Sequence, residues 1–458
     1  MPNTNTLNAL REMFGERLQT TEEILSLHSR DISWHPPSLP EAVCYPESTD
    51  EVAEILRLCH TNRTPVVPFG AGTSLEGHII PYAGGITIDL SRMSAIKAIH
   101  PIDRDCVVQA GVRKLQLNKA LQPHELFFAA GPGIDASLGG IAASGASGAN
   151  AVRYGTAKEN IRALEVVTAE GKIVKTGSRV KKTSAGYDLT HLMVGSEGTL
   201  GIITEVTAIL HPLPGYSAVA VVSFPTVQEA MEAAVAMIRQ GLPLAMLEFM
   251  DEVVMRVINN YAGTDYAEQP TLFLEIHTDE ALADIYRHRL SKIITEQHGS
   301  DFQWGSSPDE KARLWEVRYN VAHAILAIRP GGNTMSTDVC VPISRLAECI
   351  LQSKAELAKI NHVTPLFGHV GDGNFHISPN ILVKNEEEIR LFQRINEELI
   401  NRILKMEGTC TGEHGIGIGK KKYLEQELGQ PAIDMMRAIK KALDPYHILN
   451  PGKIFDFY

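Results

Sequence analysis

The sequence predicts an α+β protein of two main domains, a glycine-rich α/β domain followed by one in which strands and helices alternate in ordinary α+β fashion. Three observations carry this. The chain has 458 residues, too many for one ordinary core, and its 44% hydrophobic and 21% charged content is that of a globular protein. Nineteen of its 37 glycines lie between Gly70 and Gly201. The run His211-Pro212-Leu213-Pro214-Gly215 then breaks the chain, and the pattern changes character after it.

In chain order, residues 4–30 read as amphipathic helix, with Thr20 and Glu23 able to cap a second helical turn. After Trp34-His35-Pro36-Pro37, the capping box Ser48-Thr49-Asp50-Glu51 opens a helix in which Val52, Ile55, Leu56 and Cys59 recur at helical spacing. An apolar strand over 64–69 ends in the glycine loop 70–77, and alternation predicts further strands over 85–90 and 106–112. Beyond 215 come a strand over 218–224, a helix capped by Thr226, a strand over 271–277 and a helix over 281–297. A strand over 336–341, a helix over 344–361, a long helix over 386–406 and a last helix before Pro451 complete the reading.

Composition excludes several classes of function. A net charge of −11 leaves no basic footprint for nucleic acid, and no run of about 18 apolar residues exists to cross a membrane. The first residues carry Glu16 and two arginines without an apolar signal core, so a cytoplasmic location is the expectation. Six scattered cysteines form no CxxC pair, which predicts reduced, mostly buried thiols and no iron–sulfur cluster within the chain.

The strongest chemical signal is residues 368–376, GHVGDGNFH, followed by Gly412-Glu413-His414-Gly415. His369 and His376 are seven apart, and the intervening glycines disfavour a helix, so a turn at Gly371-Asp372-Gly373 is needed to bring both imidazoles to one point. Glu413 then completes two nitrogens and one oxygen, a divalent-metal set with positions open to substrate. Asp372 is either a fourth ligand or, between two glycines, a turn former. His414 adjoins a ligand and has an intrinsic pKa suited to a general base.

The glycine-rich half needs a large flat or phosphorylated ligand to explain it. Gly70-x-Gly72 follows a strand, but the third glycine falls at Gly77, too late for the nicotinamide fingerprint. Three glycine segments in order, residues 70–77, 131–150 and 195–203, resemble the FAD-binding domain of the vanillyl-alcohol oxidase and p-cresol methylhydroxylase superfamily. The resemblance implies a two-part FAD-binding domain over 37–216 behind an N-terminal helical segment 1–36. It implies a substrate (cap) domain over 217–412 with an antiparallel sheet, and a C-terminal segment 413–458, with its helices, closing on the flavin. By resemblance, Pro68, Gly70, Ala71, Gly72, Thr73, Ser74 and Gly77 follow the diphosphate. Pro132, Gly133, Asp135, Ser137, Gly139, Gly140, Ala143, Ser144, Gly148 and Asn150, with Tyr154 and Gly155, run past the isoalloxazine. Glu197, Gly198, Gly201, Ile202 and Ile203 hold the adenine and ribose end, and Asn450 is a further cofactor-binding residue implied by the resemblance. Thr73 and Ser74 stand where some relatives carry a flavin-linking histidine, which implies noncovalent FAD.

The histidine motifs, the stretch 336–346 and the ending 443–453 are further similar to the D-2-hydroxyacid branch of that superfamily. This implies oxidation of a small D-2-hydroxyacid to the 2-oxoacid by hydride transfer to flavin N5. The metal, zinc or manganese, activates the hydroxyl and His414 takes its proton. Arg318 matches the family's substrate arginine, with Arg329 the alternative, and Asn374 adds a hydrogen bond. Ala322 and Ser336 stand where the hydroxyglutarate branch holds a second carboxylate, so D-lactate is favoured and glycolate is next. Electrons must leave through a separate quinone, cytochrome, electron-transfer flavoprotein or iron–sulfur subunit, at the membrane or in solution, and a homodimer is compatible with all of these. Two rival classes are a metal-dependent hydrolase and a catalytically silent flavin-binding subunit.

Overall fold

The computed structural model describes residues 4–456, and the chain divides into two compact units. The first gathers residues up to 148, residues 155–213 and residues from 413 onward; the second holds 149–154 and 214–412.

In the first unit, Val66–Phe69, Ile86–Asp89 and Ala42–Cys44 form a parallel core, with Leu18–Gln19 added antiparallel beside Ala42–Cys44. Strands this apolar on both faces suit a parallel sheet covered on both sides. The helix Thr49–Asn62 packs on it through Val52, Ile55, Leu56 and Cys59, and Ser48 Oγ accepts the Glu51 N–H at 3.2 Å as the cap predicts. The single helix expected over 4–30 is interrupted: Gly15 takes φ +52°, which an α-helix cannot contain, and splits it into Thr4–Phe14 and Glu22–Leu27. Leu10, Phe14 and Leu18 are buried with the sheet residues, so this segment is part of the core.

A second, wholly antiparallel sheet of the same unit runs in the order Ile96–His100, Asp105–Gln109, Ile202–Ile209, Ile161–Val167, Ile173–Lys175. Val108, Leu138, Ile141, Leu164, Val166 and Val206 fill its core. The last helix, Gln430–Leu443, leans Ile439 and Leu443 on that cluster.

The second unit is built on a seven-stranded sheet whose pairings are all antiparallel: Ser300–Gly305, Tyr216–Ser223, Thr271–Thr278, Leu244–Met250, Leu366–Gly368, Asn374–Ile377, Val339–Cys340. Leu244–Met250 and the helix Glu252–Ala262 after it are additions to the sequence reading, because the strand is apolar without alternation. The strand expected over 336–341 shrinks to Val339–Cys340 at the sheet edge, where Pro342 has no N–H to extend a ladder. The long helix is Glu386–Lys405, capped by Asn385. No described helix is long and apolar enough to cross a membrane. The cysteines are all free thiols, five buried and Cys340 partly so.

Candidate functional site

The glycine segments of the first unit converge on one cleft of about 1210 Å³, mouth included. Pro68, Gly70, Ala71, Gly72, Thr73, Ser74, Pro132, Ser137, Gly139, Gly140, Ala143, Ser144, Glu197, Gly198, Gly201, Ile203 and Asn450 line it, together with Glu413 and His414. The strand Val66–Phe69 delivers the first loop and the helix Leu138–Ser144 the second. The backbone is packed too tightly for side chains. A Cβ on Gly198, at φ +70°, would come 2.4 Å from Pro68 Cγ, and one on Gly139 would come 2.6 Å from Ala110 Cβ. Asn450 ties two loops together, its Nδ2 donating to His78 O at 2.9 Å and Glu197 O at 2.6 Å, while its buried Oδ1 has no protein partner. Small residues, exposed backbone and an uncompensated acceptor fit a long, flat, polar-ended ligand such as FAD.

Other residues read for FAD do not line the cleft. Gly77 donates its N–H to Asp31 at 2.8 Å, and the same carboxylate oxygen takes Ser74 Oγ at 2.8 Å. Gly133 is exposed, while Asp135 is tied to Arg113 Nε at 3.2 Å and to the Leu115 N–H at 3.0 Å, which anchors the loop base. Gly148 packs on the Gly131 carbonyl, Gly155 turns at φ +79° beside Glu159, and Ile202 is in the sheet core. Asn150 and Tyr154 belong to the second unit, where Tyr154 Oη meets His277 Nδ1 at 2.6 Å and His277 Nε2 meets Glu275 at 2.8 Å.

Charge at the cleft is balanced internally. Glu197 and His78 are both buried and 3.3 Å apart, and Glu197 accepts the N–H groups of Ile416 and Gly417 at 2.7 and 2.9 Å. Burial opposes both charges, but their attraction outweighs it and holds Glu197 below and His78 above its ordinary range. His414 Nδ1 lies 4.0 Å from Glu76, whose carboxylate is 3.2 Å from Lys420 Nζ.

In the second unit the hairpin Leu366–Gly368, Asn374–Ile377 carries the two other histidines, joined by a turn in which Gly373 has φ +82°. The turn brings the rings of His369 and His376 to 5.7 Å between centroids. His369 Nδ1 is 2.5 Å from Glu248 Oε1, and Arg318 Nε donates to Glu248 Oε2 at 2.7 Å. The Phe367 ring is 5.6 Å from the Arg318 guanidinium and 5.5 Å from the His376 ring. Burial alone would raise Glu248, but its pairing with His369 and Arg318 outweighs it and holds the carboxyl below its usual range. His376 Nδ1 meets Thr337 O at 3.0 Å, 3.8 Å from buried Asp338. Asn374 gives its Nδ2 to Asp338 at 2.7 Å and Val339 O at 2.9 Å, leaving a buried Oδ1 without a protein partner. Asp372 stands in the turn, its N–H bonded to His369 O at 3.0 Å. Arg329 is paired with Glu388 at 2.8 Å instead of joining this cluster. Ser336 Oγ is 2.7 Å from Ser378 Oγ, and Ala322 is exposed.

Sequence reasoning missed Glu248, Asp338 and His78. A lone carboxylate in the apolar stretch Leu244–Met250 was a usable signal for the first; nothing local marked the other two.

Residues 40–177 match the family model described as FAD binding domain, and residues 213–454 match that described as FAD linked oxidases, C-terminal domain. The chain is 43% identical over 450 residues to a D-lactate dehydrogenase [cytochrome], mitochondrial, of Arabidopsis thaliana, covering 98% of this chain and 79% of that one. It is 42% identical over 454 residues to a probable D-lactate dehydrogenase, mitochondrial, of Danio rerio, covering 98% and 91%. Glycolate oxidase subunit GlcD of Bacillus subtilis is 33% identical over 433 residues, covering 94% and 92%. The crystal structure of p-cresol methylhydroxylase with substrate bound shares the fold at a TM-score of 0.80 and 16% identity, covering 99% and 98%.

Proposed function

The chain belongs to the family of FAD linked oxidases, and from that membership we propose that it oxidises a small D-2-hydroxyacid, D-lactate first, to the 2-oxoacid. The observation that carries the proposal is the meeting of Arg318 and His369 on one buried carboxylate, Glu248, with His376 beside them. A guanidinium and an imidazole held by one carboxylate, with a second imidazole beside them, offer a carboxylate anchor and a metal-binding edge in one cluster.

Bound FAD supplies the two-electron acceptor that takes the C2 hydride at N5. A divalent metal, zinc or manganese, held by His369, His376 and Glu413, would supply a Lewis acid that acidifies the hydroxyl. Both imidazoles suit that role, since each Nδ1 is engaged, with Glu248 or Thr337 O, and each ring therefore presents Nε2 as its ligating nitrogen. Glu413 joins the set on the strength of the sequence motifs. Arg318 binds the substrate carboxylate, His414 takes the hydroxyl proton, and Asn374 adds a hydrogen bond in the substrate pocket. Ala322 and Ser336 provide no cation for a second carboxylate, which supports a short monocarboxylate; glycolate is the second reading, favoured by the similarity to GlcD. Turnover would require a separate electron acceptor, a cytochrome, quinone, electron-transfer flavoprotein or iron–sulfur subunit, with the cytoplasm, or the membrane surface through that acceptor, as the location.

The test is anaerobic addition of D-lactate, L-lactate, glycolate and D-2-hydroxyglutarate to the purified FAD-loaded protein. Bleaching of the flavin band by D-lactate ahead of the others is the expected result. A flavin that none of the four bleaches sinks the assignment.

A further inference from the structure

Glu248 is the sole acidic residue of the strand Leu244–Met250 and is fully buried. Taking a carboxylate out of water costs several kcal/mol before pairing, and well-packed apolar replacements for buried ion pairs are often as stable. Packing therefore gives no reason for a charge here. Its two oxygens are shared between two partners from different elements, His369 in the hairpin turn and Arg318 on the helix Pro308–Tyr319.

Each contact fixes an orientation. A carboxylate on Nδ1 of His369 sets the tautomer and the ring plane, so that Nε2 presents its lone pair in one direction. For Arg318 the Glu248 bond takes Nε, and Phe367 covers the guanidinium at 5.6 Å, which turns the edge bearing Nη1 and Nη2 toward a bidentate partner.

We propose that Glu248 is a positioning residue that holds the substrate-binding guanidinium and the metal-binding imidazole in one fixed relation, so that the carboxylate and hydroxyl oxygens of one 2-hydroxyacid are met together. This rests on the roles given above to Arg318 and His369. It goes beyond them by making one carboxylate the mechanical link between two binding events, so that metal occupancy and substrate affinity strengthen each other reciprocally.

The experiment uses FAD-loaded protein and Glu248→Gln, which keeps the shape and removes the charge. Mn²⁺ affinity is measured by titration without substrate, and the D-lactate Kd is separated from the limiting rate by anaerobic stopped-flow reduction. Mn²⁺ binding should weaken about 10–100-fold, the range for losing such an outer carboxylate. The D-lactate Kd should rise with flavin content unchanged. In an Arg318→Met background, the effect of Glu248→Gln on the D-lactate Kd at saturating Mn²⁺ should vanish while its effect on Mn²⁺ affinity persists. Unchanged Mn²⁺ and D-lactate affinities in Glu248→Gln, or fully additive effects with Arg318→Met, overturn the proposal. If the Gln variant does not fold, Glu248→Asp withdraws both oxygens by a methylene and carries the same expectations. A wild-type protein that neither binds Mn²⁺ nor is bleached by any 2-hydroxyacid overturns the functional reading before any variant is made, so the two failures are told apart.

Discussion

Arg318 Nε donates to Glu248 Oε2 at 2.7 Å, and the guanidinium is the only Arg or Lys paired with that fully buried carboxylate among the described residues. Breaking such a pair from one side strands a charge in the interior, a loss of about 3–5 kcal/mol. Arg318→Met should therefore lower the melting temperature of the protein as well as its D-lactate affinity. Arg318→Lys should recover part of the stability but little of the binding, because a point charge cannot serve Glu248 and grip a carboxylate in two-pronged fashion. Differential scanning fluorimetry beside substrate titration checks both; a melting temperature unchanged in Arg318→Met would mean that Glu248 finds other compensation.

His414→Ala tests the base. The side chain lines the flavin cleft, so its loss should leave FAD bound and slow reduction by D-lactate about 10²–10⁴-fold. Rapid-mixing absorbance of the flavin band measures the step directly. A rate equal to wild type would remove His414 from proton transfer.

The reach of the sequence was set by locality. Glycine segments separated by more than 40 residues could be read because each needs backbone in the open, and the structure gathers residues from all three around one cleft. The turn between His369 and His376 was legible for the same reason, since only glycine accepts φ +82° there without strain. Glu248 was not legible as a partner of Arg318 and His369, because the contacts span 70 and 121 residues and depend on strand order within the sheet. The interrupted first helix was lost to a single backbone angle at Gly15, where amphipathic spacing continues but the chain does not.

Gly198→Ala tests the cleft walls. At φ +70° the new Cβ would meet Pro68 Cγ at 2.4 Å, and neither the ring nor the strand that carries it can retreat easily. The variant should purify with substoichiometric FAD, read from the ratio of flavin to protein absorbance. Full flavin content would show that the loops give way more readily than their packing implies.

Asp251 supplies a pH test remote from the proposed chemistry. It caps the helix Glu252–Ala262 through the Val254 N–H at 2.9 Å and takes Lys354 Nζ at 2.6 Å, while Lys354 also reaches Glu252 at 2.5 Å. Burial pushes the Asp251 carboxyl up to about 6 despite the lysine. The folded state therefore holds its proton more tightly than the unfolded state, and this group's contribution to stability falls as pH rises from about 4 to about 6 and is level above that. A span of about two pH units amounts to roughly 3 kcal/mol. Asp251→Asn keeps a capping side chain and resembles the protonated acid, so it should match wild type in melting temperature below pH 4 and exceed it by several degrees above pH 6. Melting curves of both proteins across pH 4–7.5 decide it: parallel curves would mean that Lys354 holds Asp251 ionised throughout.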